Sequence, residues 1–239
     1  MENNFTTRTS FLLGDEGLDK LKASNILIFG VGGVGSFVAE ATARAGIGNI
    51  TIVDFDDVDI TNINRQIPAL HSTVGRDKVD VMQERILDIN PDINIRNFKE
   101  KYNEETSEMF FDQDYDYVID AIDMVSSKIH LIETCKRKGI KIISSMGMGN
   151  KVDPTKIVVT DIYKTSTDPL AKVMRKELRD RKIKDLKVVY STETPVELKK
   201  KVVNGRKLTP GSISFVPSVG GLTIASVVVN DLVGEYKFI

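Results

Sequence analysis

The chain has 239 residues, a length that suffices for one large domain with a full hydrophobic core. Hydrophobic residues make up 41% and charged residues 28%, which is typical of a soluble globular protein and excludes extensive disorder. The net charge of −1 selects no class of partner, and a single cysteine excludes an internal disulfide and a zinc site built from paired cysteines.

Short apolar runs alternate with helical patterns over the first 150 residues. The predicted strands span residues 25–30, 49–54, 93–98, 117–120 and 141–145. The predicted helices between them span residues 33–45, 75–90 and 124–138. This alternation predicts an α/β fold, namely a Rossmann-like, doubly wound and mostly parallel sheet.

The last third of the chain is less regular. We predict strands at 157–162, 188–191 and 212–216, a basic helix at 169–181, a mobile loop at 194–210 and an apolar helix at 219–233. We divide the chain into an N-terminal helical arm (1–24), a nucleotide-binding Rossmann-like domain (25–160) and a basic extension (161–239) that completes the same domain. The N-terminal residues lack a signal-peptide core and no apolar run reaches the length expected of a membrane span, so we expect a cytoplasmic protein with no membrane partner.

Charge is distributed unevenly along the chain. Residues 172–207 carry 13 Lys and Arg against five Asp and Glu, which makes this segment +8 and the remainder −9. Such a segment is either a surface for a nucleic-acid backbone or an ordinary solvated helix face. The candidate contacts to a nucleic acid are Arg175, Arg179, Lys199, Lys200 and Lys201.

A glycine-rich turn, Gly30-Val-Gly32-Gly33-Val-Gly35, joins the first predicted strand to the first predicted helix. Gly30 permits a tight turn, and Gly32 and Gly33 let the backbone approach a phosphate at the helix N-terminus. Asp54 ends the second predicted strand, where a carboxylate can accept hydrogen bonds from ribose hydroxyls. The pattern predicts nucleotide binding; the alternative is a close helix–strand crossing that requires glycine only for packing.

The residues after Asp54 favour adenylation by ATP over hydride transfer. Attack of a carboxylate on the α-phosphate brings two anions together, so cations and a metal must offset their repulsion. Arg65 is the candidate phosphate clamp and Lys78 a second positive charge. Asp123 follows the fourth predicted strand and could hold Mg²⁺ with waters and phosphate oxygens. Two neutral side chains that can orient oxygens complete the set: Asn62 and Gln66.

Over residues 5–160 the sequence resembles the ThiF/MoeB/HesA superfamily, which is related to ubiquitin-activating enzymes. The shared motifs are the glycine turn, Asp54-Phe-Asp56, Asn62-x-x-Arg65-Gln66, Lys78 and Asp120-Ala-Ile-Asp123. The resemblance implies a homodimer that binds ATP and adenylates a carboxylate, with Asp123 on the metal. It implies ATP contacts at the glycine turn, Asp54, Asp56, Asn62, Arg65, Gln66 and Lys78. It also implies that Arg8 reaches the ATP of the other subunit, which makes Arg8, Arg65, Lys78 and Asp123 the candidate catalytic residues.

Four features in the last third resemble the tRNA threonylcarbamoyladenosine dehydratases: Asp168-Pro-Leu-Ala171, the basic helix with Arg175 and Arg179, Tyr190-Ser-Thr-Glu193 and Pro210-Gly-Ser212. The implied substrate is tRNA whose modified adenosine bears a free carboxylate. That carboxylate attacks ATP, and an internal nitrogen or oxygen then closes a ring and expels AMP. This resemblance implies ATP and Mg²⁺, no zinc, and a use for the basic segment in binding tRNA. We interpret the single cysteine, Cys135, as a buried and inert thiol.

Three other functions are compatible with the motifs. The first is an adenylyltransferase that activates the C-terminal glycine of a small ubiquitin-like sulfur-carrier protein. The second is an NAD-dependent oxidoreductase, and the third a degenerate nucleotide-binding scaffold, against which Arg65, Lys78 and Asp123 count. The sequence leaves open a sulfur-transfer partner protein and the base for ring closure; we expect His71 on the surface and His130 on a helix.

Overall fold

A seven-stranded sheet forms the centre of the computed structural model, which describes residues 4–204 and 207–234. Its strands are β1 (Asn25–Phe29), β2 (Asn49–Val53), β3 (Asn94–Phe98), β4 (Tyr117–Asp120), β5 (Lys141–Ser145), β6 (Ile157–Asp161) and β7 (Lys187–Ser191). The strand order is β3-β2-β1-β4-β5-β7-β6, and all neighbouring strands are parallel except β6 and β7. This order confirms the predicted Rossmann-like, doubly wound and mostly parallel sheet.

Helices cover both faces of the sheet, and a short hairpin lies outside it. The helices are α1 (Thr7–Ala23), α2 (Gly35–Ala45), α3 (Lys78–Ile89), α4 (Val125–Lys138), α5 (Pro169–Asp180) and α6 (Phe215–Val233). The hairpin pairs β8 (Val203–Asn204) with β9 (Lys207–Leu208). Helix α1 is kinked at Gly14, where the φ of +68° interrupts the helical backbone.

The apolar strands are buried on both faces because successive side chains point to opposite sides of the sheet. On β1, Ile26 and Ile28 pack in one core cluster with residues of α2, α3 and α6. Leu27 and Phe29 pack in a second cluster with residues of α4 and α5. The continuous apolar run of β1 is therefore explained by two cores rather than one, and the carboxyl ends of the central strands are left free to carry a site.

The segment 212–216 is not a strand, so that prediction is wrong. Phe215 and Val216 begin α6, and Pro217 occupies its first turn. Proline fits there because the first N–H groups of a helix have no intrahelical partner. The predicted loop 194–210 also differs from expectation, since it contains the β8–β9 hairpin.

Helix α6 begins four residues before its predicted start at residue 219. By length and composition it could cross a membrane, contrary to the expectation that no run reaches that length. Half of this apolar stretch is buried within the fold, however, and the helix packs against α2 and α1. A Cβ added at Gly221 would lie 2.4 Å from the Val34 carbonyl oxygen, so glycine at this position permits a close approach of the two helices. We therefore treat α6 as a core helix.

Candidate nucleotide site

The glycine turn contains glycines of two kinds. Gly30 has a φ of +87°, and a Cβ added to it would lie 2.7 Å from the Ala121 carbonyl oxygen. A Cβ added at Gly35 would lie 1.7 Å from the Gly30 carbonyl oxygen, so the turn itself requires both residues to be glycine. At Gly32 an added Cβ would meet only the Gln66 side chain, 3.7 Å away. The turn therefore needs glycine at positions 30 and 35 in order to form, whereas glycine at position 32 leaves space next to the backbone.

Asp54 lies at the carboxyl end of β2 and is held by two backbone groups. Its Oδ2 accepts a hydrogen bond from the Val31 N–H at 2.7 Å, and its Oδ1 accepts one from the Asp56 N–H at 2.9 Å. Burial raises the pKa of this carboxyl, and the nearby positive charge of Lys78 opposes the shift. The position beside the glycine turn is the one expected for a group that binds ribose.

Lys78 is the first residue of α3 and is buried, with 4% of its surface exposed. Its Nζ lies 2.8 Å from Oδ2 of Asp56, whose own side chain is about half exposed. A buried ammonium needs such a partner, because withdrawal from water is costly for an unpaired charge. Asp56 therefore orients Lys78 towards the end of the sheet where Asp54 lies.

Arg65 is a partly buried cation. Its Nη1 donates to the Thr61 carbonyl oxygen at 3.0 Å and to Asn64 Oδ1 at 2.9 Å. Among the residues that the structure describes, no carboxylate forms an ion pair with it. Burial lowers the pKa of the guanidinium. A Cβ added at Gly33 would lie 3.5 Å from Arg65 Cγ and 3.2 Å from Pro217 Cβ, so Arg65 flanks the glycine turn with its charge unneutralised.

Gln66 and Asn62 were predicted to contact the same ligand, but the structure gives them different surroundings. Gln66 is buried against Gly32, and within the described part of the chain its Oε1 has no hydrogen-bond partner. A buried acceptor of this kind is costly unless a ligand or water satisfies it. Asn62 Oδ1 instead accepts from the Asp59 N–H at 3.1 Å and closes a short 3₁₀ helix, Ile60–Asn62. A role for Asn62 in binding stays a prediction.

Asp123 is exposed just beyond β4, and a buried lysine, Lys128, fixes the turn that precedes it. The Nζ of buried Lys128 lies 2.9 Å from Asp120 Oδ2 and donates to the Ile122 carbonyl oxygen at 2.9 Å. Across residues 4–204 and 207–234, no cluster of three or more His, Cys, Asp or Glu side chains could hold a metal alone. A magnesium ion at Asp123 would therefore need phosphate oxygens and waters, which is how this ion is commonly bound.

The structure does not bring Arg8 of the same chain to the glycine turn. Arg8 is exposed near the start of α1, and Thr6, two residues before it, lies beside Gly46, the residue after α2. The glycine turn lies at the opposite end of α2, roughly 16 Å away for a helix of 11 residues. Arg8 therefore lies too far from the glycine turn of its own chain to contact a nucleotide there, and a contact across subunits stays a prediction.

The five basic residues predicted to bind tRNA are not equally available. Arg175 is partly buried, and its Nη1 donates to the Thr165 carbonyl oxygen at 3.0 Å and to the Thr165 hydroxyl. Arg179 is exposed, with its guanidinium carbon 5.7 Å from the centre of the Tyr163 ring. Three lysines are exposed in one run: Lys199, Lys200 and Lys201. The lysine run is thus the more accessible part of the basic segment.

Sequence reasoning missed a second buried ion pair near the same end of the sheet. The Nζ of Lys151 lies 2.8 Å from Asp168 Oδ2 and donates to the Gly147 carbonyl oxygen at 2.7 Å. Asp168 Oδ1 accepts the Ala171 N–H at 2.8 Å and so caps α5. The Asp-Pro start of α5 could have indicated the cap. Nothing in the sequence indicates the burial of Lys151, because lysine is usually exposed.

The surroundings of the cysteine and of the two histidines match what was predicted for them. Cys135 is buried in α4, and burial raises the pKa of its thiol to about 12, so it is not a thiolate at neutral pH. His71 is exposed, as expected. His130 lies on α4 with its Nδ1 3.0 Å from the Tyr102 hydroxyl.

A family model, the ThiF family, matches residues 6–235 of this chain. The chain belongs to the ThiF family. It is 50% identical over 242 residues to a tRNA threonylcarbamoyladenosine dehydratase of Bacillus subtilis, covering 97% of this chain and 95% of the relative. A dehydratase of the same name from Escherichia coli is 44% identical over 171 residues, covering 72% of this chain and 64% of that protein.

This chain is also similar to a solved structure of a dehydratase and, less closely, to an adenylyltransferase. The crystal structure of the Escherichia coli dehydratase TcdA with ATP superposes with a TM-score of 0.87 at 37% identity, covering 95% of this chain and 93% of that one. A more distant relative, a molybdopterin-synthase adenylyltransferase of Haemophilus influenzae, is 35% identical over 129 residues. That match covers 54% of this chain and 53% of the adenylyltransferase.

Proposed function

We propose that this ThiF-family protein is an ATP-dependent tRNA threonylcarbamoyladenosine dehydratase. The observation that carries the choice of substrate is the 50% identity to a dehydratase of that name across nearly the full length of both chains. The choice of ATP is supported by the site itself, where Arg65 has no carboxylate partner among the described residues and the buried Gln66 Oε1 has no hydrogen-bond partner there. Both groups lie beside a glycine turn.

The reaction needs no nucleophile from the protein. The carboxylate of the threonylcarbamoyl group attacks the α-phosphorus of ATP, and pyrophosphate leaves. A nitrogen or oxygen of the same modified nucleoside then attacks the activated acyl carbon, and AMP leaves as the ring closes. The oxygen lost from the carboxylate departs with AMP, so the nucleoside loses one water in total. Because the reacting atoms belong to one molecule, correct placement supplies much of the acceleration.

The chain's own residues supply binding and charge for this chemistry. Asp54 accepts hydrogen bonds from ribose, and the N-terminus of α2 faces the phosphates through the glycine turn. Arg65 offsets negative charge on the phosphates, and Lys78 adds a second positive charge from the start of α3. Both cations are withdrawn from water, where their effect on an anion is larger than on a solvated surface.

A magnesium ion and a second subunit complete the proposed site. Asp123 would hold Mg²⁺, which when bound neutralises charge on the phosphate oxygens. In a homodimer, Arg8 of one subunit reaches the ATP of the other. Exposed apolar side chains on the arm support a subunit contact there, with Phe11 72% and Leu12 78% exposed. We also propose that the protein acts in the cytoplasm.

The adenylyltransferase alternative is less well supported. The relative of that class matches only about half of this chain, and the match to the dehydratase continues through the last third. A sulfur-transfer partner would find no reactive thiol at Cys135, because this side chain is buried with a raised pKa. We therefore include no step through a thiolate of this chain.

Incubation of the purified protein with ATP, Mg²⁺ and tRNA that carries threonylcarbamoyladenosine tests the proposal. We expect nucleoside mass analysis to show loss of one water, with one AMP and one pyrophosphate released per ring closed. A small protein ending in Gly-Gly, supplied instead of tRNA, should not be adenylated. Adenylation of that protein, without any change in the tRNA, would overturn the proposal in favour of the adenylyltransferase.

A further inference from the structure

A single residue, Asn150, joins the two ends of the segment that carries the lysine run. Its carbonyl oxygen accepts the Val196 N–H at 2.7 Å. Its own N–H donates to the Gly211 carbonyl oxygen at 2.8 Å, and its Oδ1 accepts the Gly211 N–H at 2.7 Å. These three hydrogen bonds, which we call the Asn150 bridge, hold residues 196 and 211 side by side.

The backbone of Asn150 adopts a conformation that suits this arrangement. Its φ of +58° lies in the left-handed region, which asparagine, aspartate and glycine tolerate better than other residues do. Asparagine at this position therefore both tolerates the left-handed backbone and supplies the acceptor oxygen of the bridge. Replacement by glycine would keep the backbone accessible and remove only the side chain, whereas replacement by aspartate would keep an acceptor oxygen.

The Asn150 bridge is anchored to the sheet on one side. The next residue is Lys151, whose buried ion pair with Asp168 fixes this loop near the carboxyl ends of β5 and β7. Glu193, two residues beyond β7, accepts the Val152 N–H at 3.1 Å and the Asp153 N–H at 2.9 Å. The bridge therefore has a fixed position relative to the core, although the segment it closes is largely exposed.

On its other side the Asn150 bridge leads directly to the phosphate clamp. Immediately after Gly211, the Ser212 carbonyl oxygen accepts a hydrogen bond from Asn64 Nδ2 at 3.1 Å. Asn64 Oδ1 in turn accepts from Arg65 Nη1 at 2.9 Å. Farther along, Pro217 packs at Gly33 in the glycine turn. Two hydrogen bonds and one residue step thus separate the bridge from the Arg65 guanidinium.

The geometry points to Asn150 as a positioning residue that fixes the lysine run, Lys199–Lys201, relative to Arg65. The inference rests on the proposed function. Exposed lysines that follow one another in the chain can bind the phosphate backbone of RNA without reading its sequence. One of the three, Lys201, has its Nζ 3.9 Å from Oε1 of Glu197 on the exposed surface. Because the bridge ties the base of this segment to the residues that contact Arg65, RNA held at the lysine run presents its modified adenosine to ATP in a defined place.

The test compares Asn150→Gly with Asn150→Asp in steady-state turnover of tRNA that carries threonylcarbamoyladenosine. Loss of the side-chain acceptor in Asn150→Gly should raise KM for tRNA about fivefold or more, while kcat and the Kd for ATP measured without RNA change less than about twofold. Asn150→Asp, which keeps the acceptor, should stay within about twofold of the wild type in KM. Glu193→Gln, which weakens the adjoining anchor, should raise KM in the same direction.

A second measurement reports on the segment itself. Trypsin cleaves after lysine, so the rate of cleavage within Lys199–Lys201 should rise in Asn150→Gly and return towards the wild-type rate in Asn150→Asp. Asn150 belongs to neither core cluster, and the melting temperature of each variant checks that the fold is kept. An unchanged KM for tRNA in Asn150→Gly, or an equal loss of ATP affinity, overturns the inference. Failure of the wild-type protein to act on this tRNA overturns the proposed function instead.

Discussion

Arg65 combines partial burial with the absence, among the described residues, of any carboxylate partner. If it binds the phosphates, Arg65→Ala should lower kcat/KM by roughly 10² to 10³ without changing the melting temperature, because the lost charge acts on the transition state. Arg44→Ala is a matched control, since Arg44 pairs with Glu40 on an exposed helix surface. Steady-state kinetics of both variants measure the difference. Full activity of Arg65→Ala would remove the phosphate clamp from the proposed mechanism.

Asp54 gives a prediction with a defined dependence on pH. Burial raises the pKa of this carboxyl in the folded protein above its unfolded value. Its contribution to stability is therefore present at low pH and is lost as the pH rises through the folded pKa. Asp54→Asn should remove that dependence on pH, so the difference in the free energy of unfolding between the variant and the wild type should shift in favour of the variant as the pH rises above the ordinary aspartate range.

Urea unfolding at several pH values measures this difference in the free energy of unfolding. The same substitution should weaken ATP binding by about tenfold or more, because a charged acceptor for ribose hydroxyls is lost. A relative gain in stability with rising pH, together with a loss of ATP binding, is the signature of a group kept for its ligand. Parallel pH profiles for the two proteins would contradict the assignment of the raised pKa to Asp54.

At the level of single residues, the sequence indicated the groups that lie in recognisable local patterns. The tight turn at Gly30 and Gly35 follows from their place between a strand and a helix. Lys128 and Lys151 were not predicted, because their burial depends on carboxylates that become neighbours only in the folded chain. Asn150 was missed for the same reason, since its partners lie 46 and 61 residues away.

At the level of secondary-structure elements, the turn between β1 and α2 contains one glycine that we expect folding to require, Gly35, and one that we expect ATP binding to require, Gly32. Gly35→Ala should destabilise the protein by several kcal/mol, because the new Cβ would lie 1.7 Å from the Gly30 carbonyl oxygen. Gly32→Ala is the matched control: its Cβ would meet only Gln66, so the fold should persist while ATP binding weakens. Thermal unfolding and ATP titration of the two variants measure this contrast. Equal melting temperatures would show that the turn tolerates a side chain at Gly35.

Four of the well-predicted elements are strands buried on both faces. Strands β1, β2, β4 and β5 are found within a residue of their predicted ends, because apolar runs bounded by polar residues reflect burial directly. Strand β3, which is polar and only partly buried, is also found within a residue of its predicted ends. The segment 212–216 has an alternating pattern that resembles a strand, but its last two residues begin α6, which packs on α2. Strands β8 and β9 have two residues each, and their apolar residues Val203 and Leu208 are exposed, so they carry no signal of burial.

For the whole molecule, the place of Arg8 predicts an effect of subunit mixing. Dimers that combine one Arg8→Ala subunit with one Lys78→Ala subunit contain one site with both residues intact if Arg8 acts across the interface. Random mixing should therefore restore about a quarter of the wild-type sites, although each variant alone is inactive. Activity assays after co-expression of the two variants measure the recovery. No recovery would place Arg8 outside the partner's site.

The overall architecture could be predicted further than its details. Alternation of strands and helices was enough to indicate a doubly wound sheet, since parallel strands need crossover helices. The antiparallel pairing of β6 with β7 at the sheet edge was not evident, because it depends on contacts between distant parts of the chain. That the site is assembled from β1, β2, β4 and α6 was not evident for the same reason, since these elements are far apart along the chain.

Pro217 at Gly33 has a consequence for fragments of this protein. Every residue of the motifs that define the resemblance to the ThiF superfamily precedes position 160, yet one wall of the glycine turn is formed by a helix that begins at Phe215. A truncated chain would therefore carry the complete signature and still lack part of its pocket. During synthesis, the signature emerges from the ribosome long before the helix that encloses it, so the pocket is among the later parts of the molecule to mature.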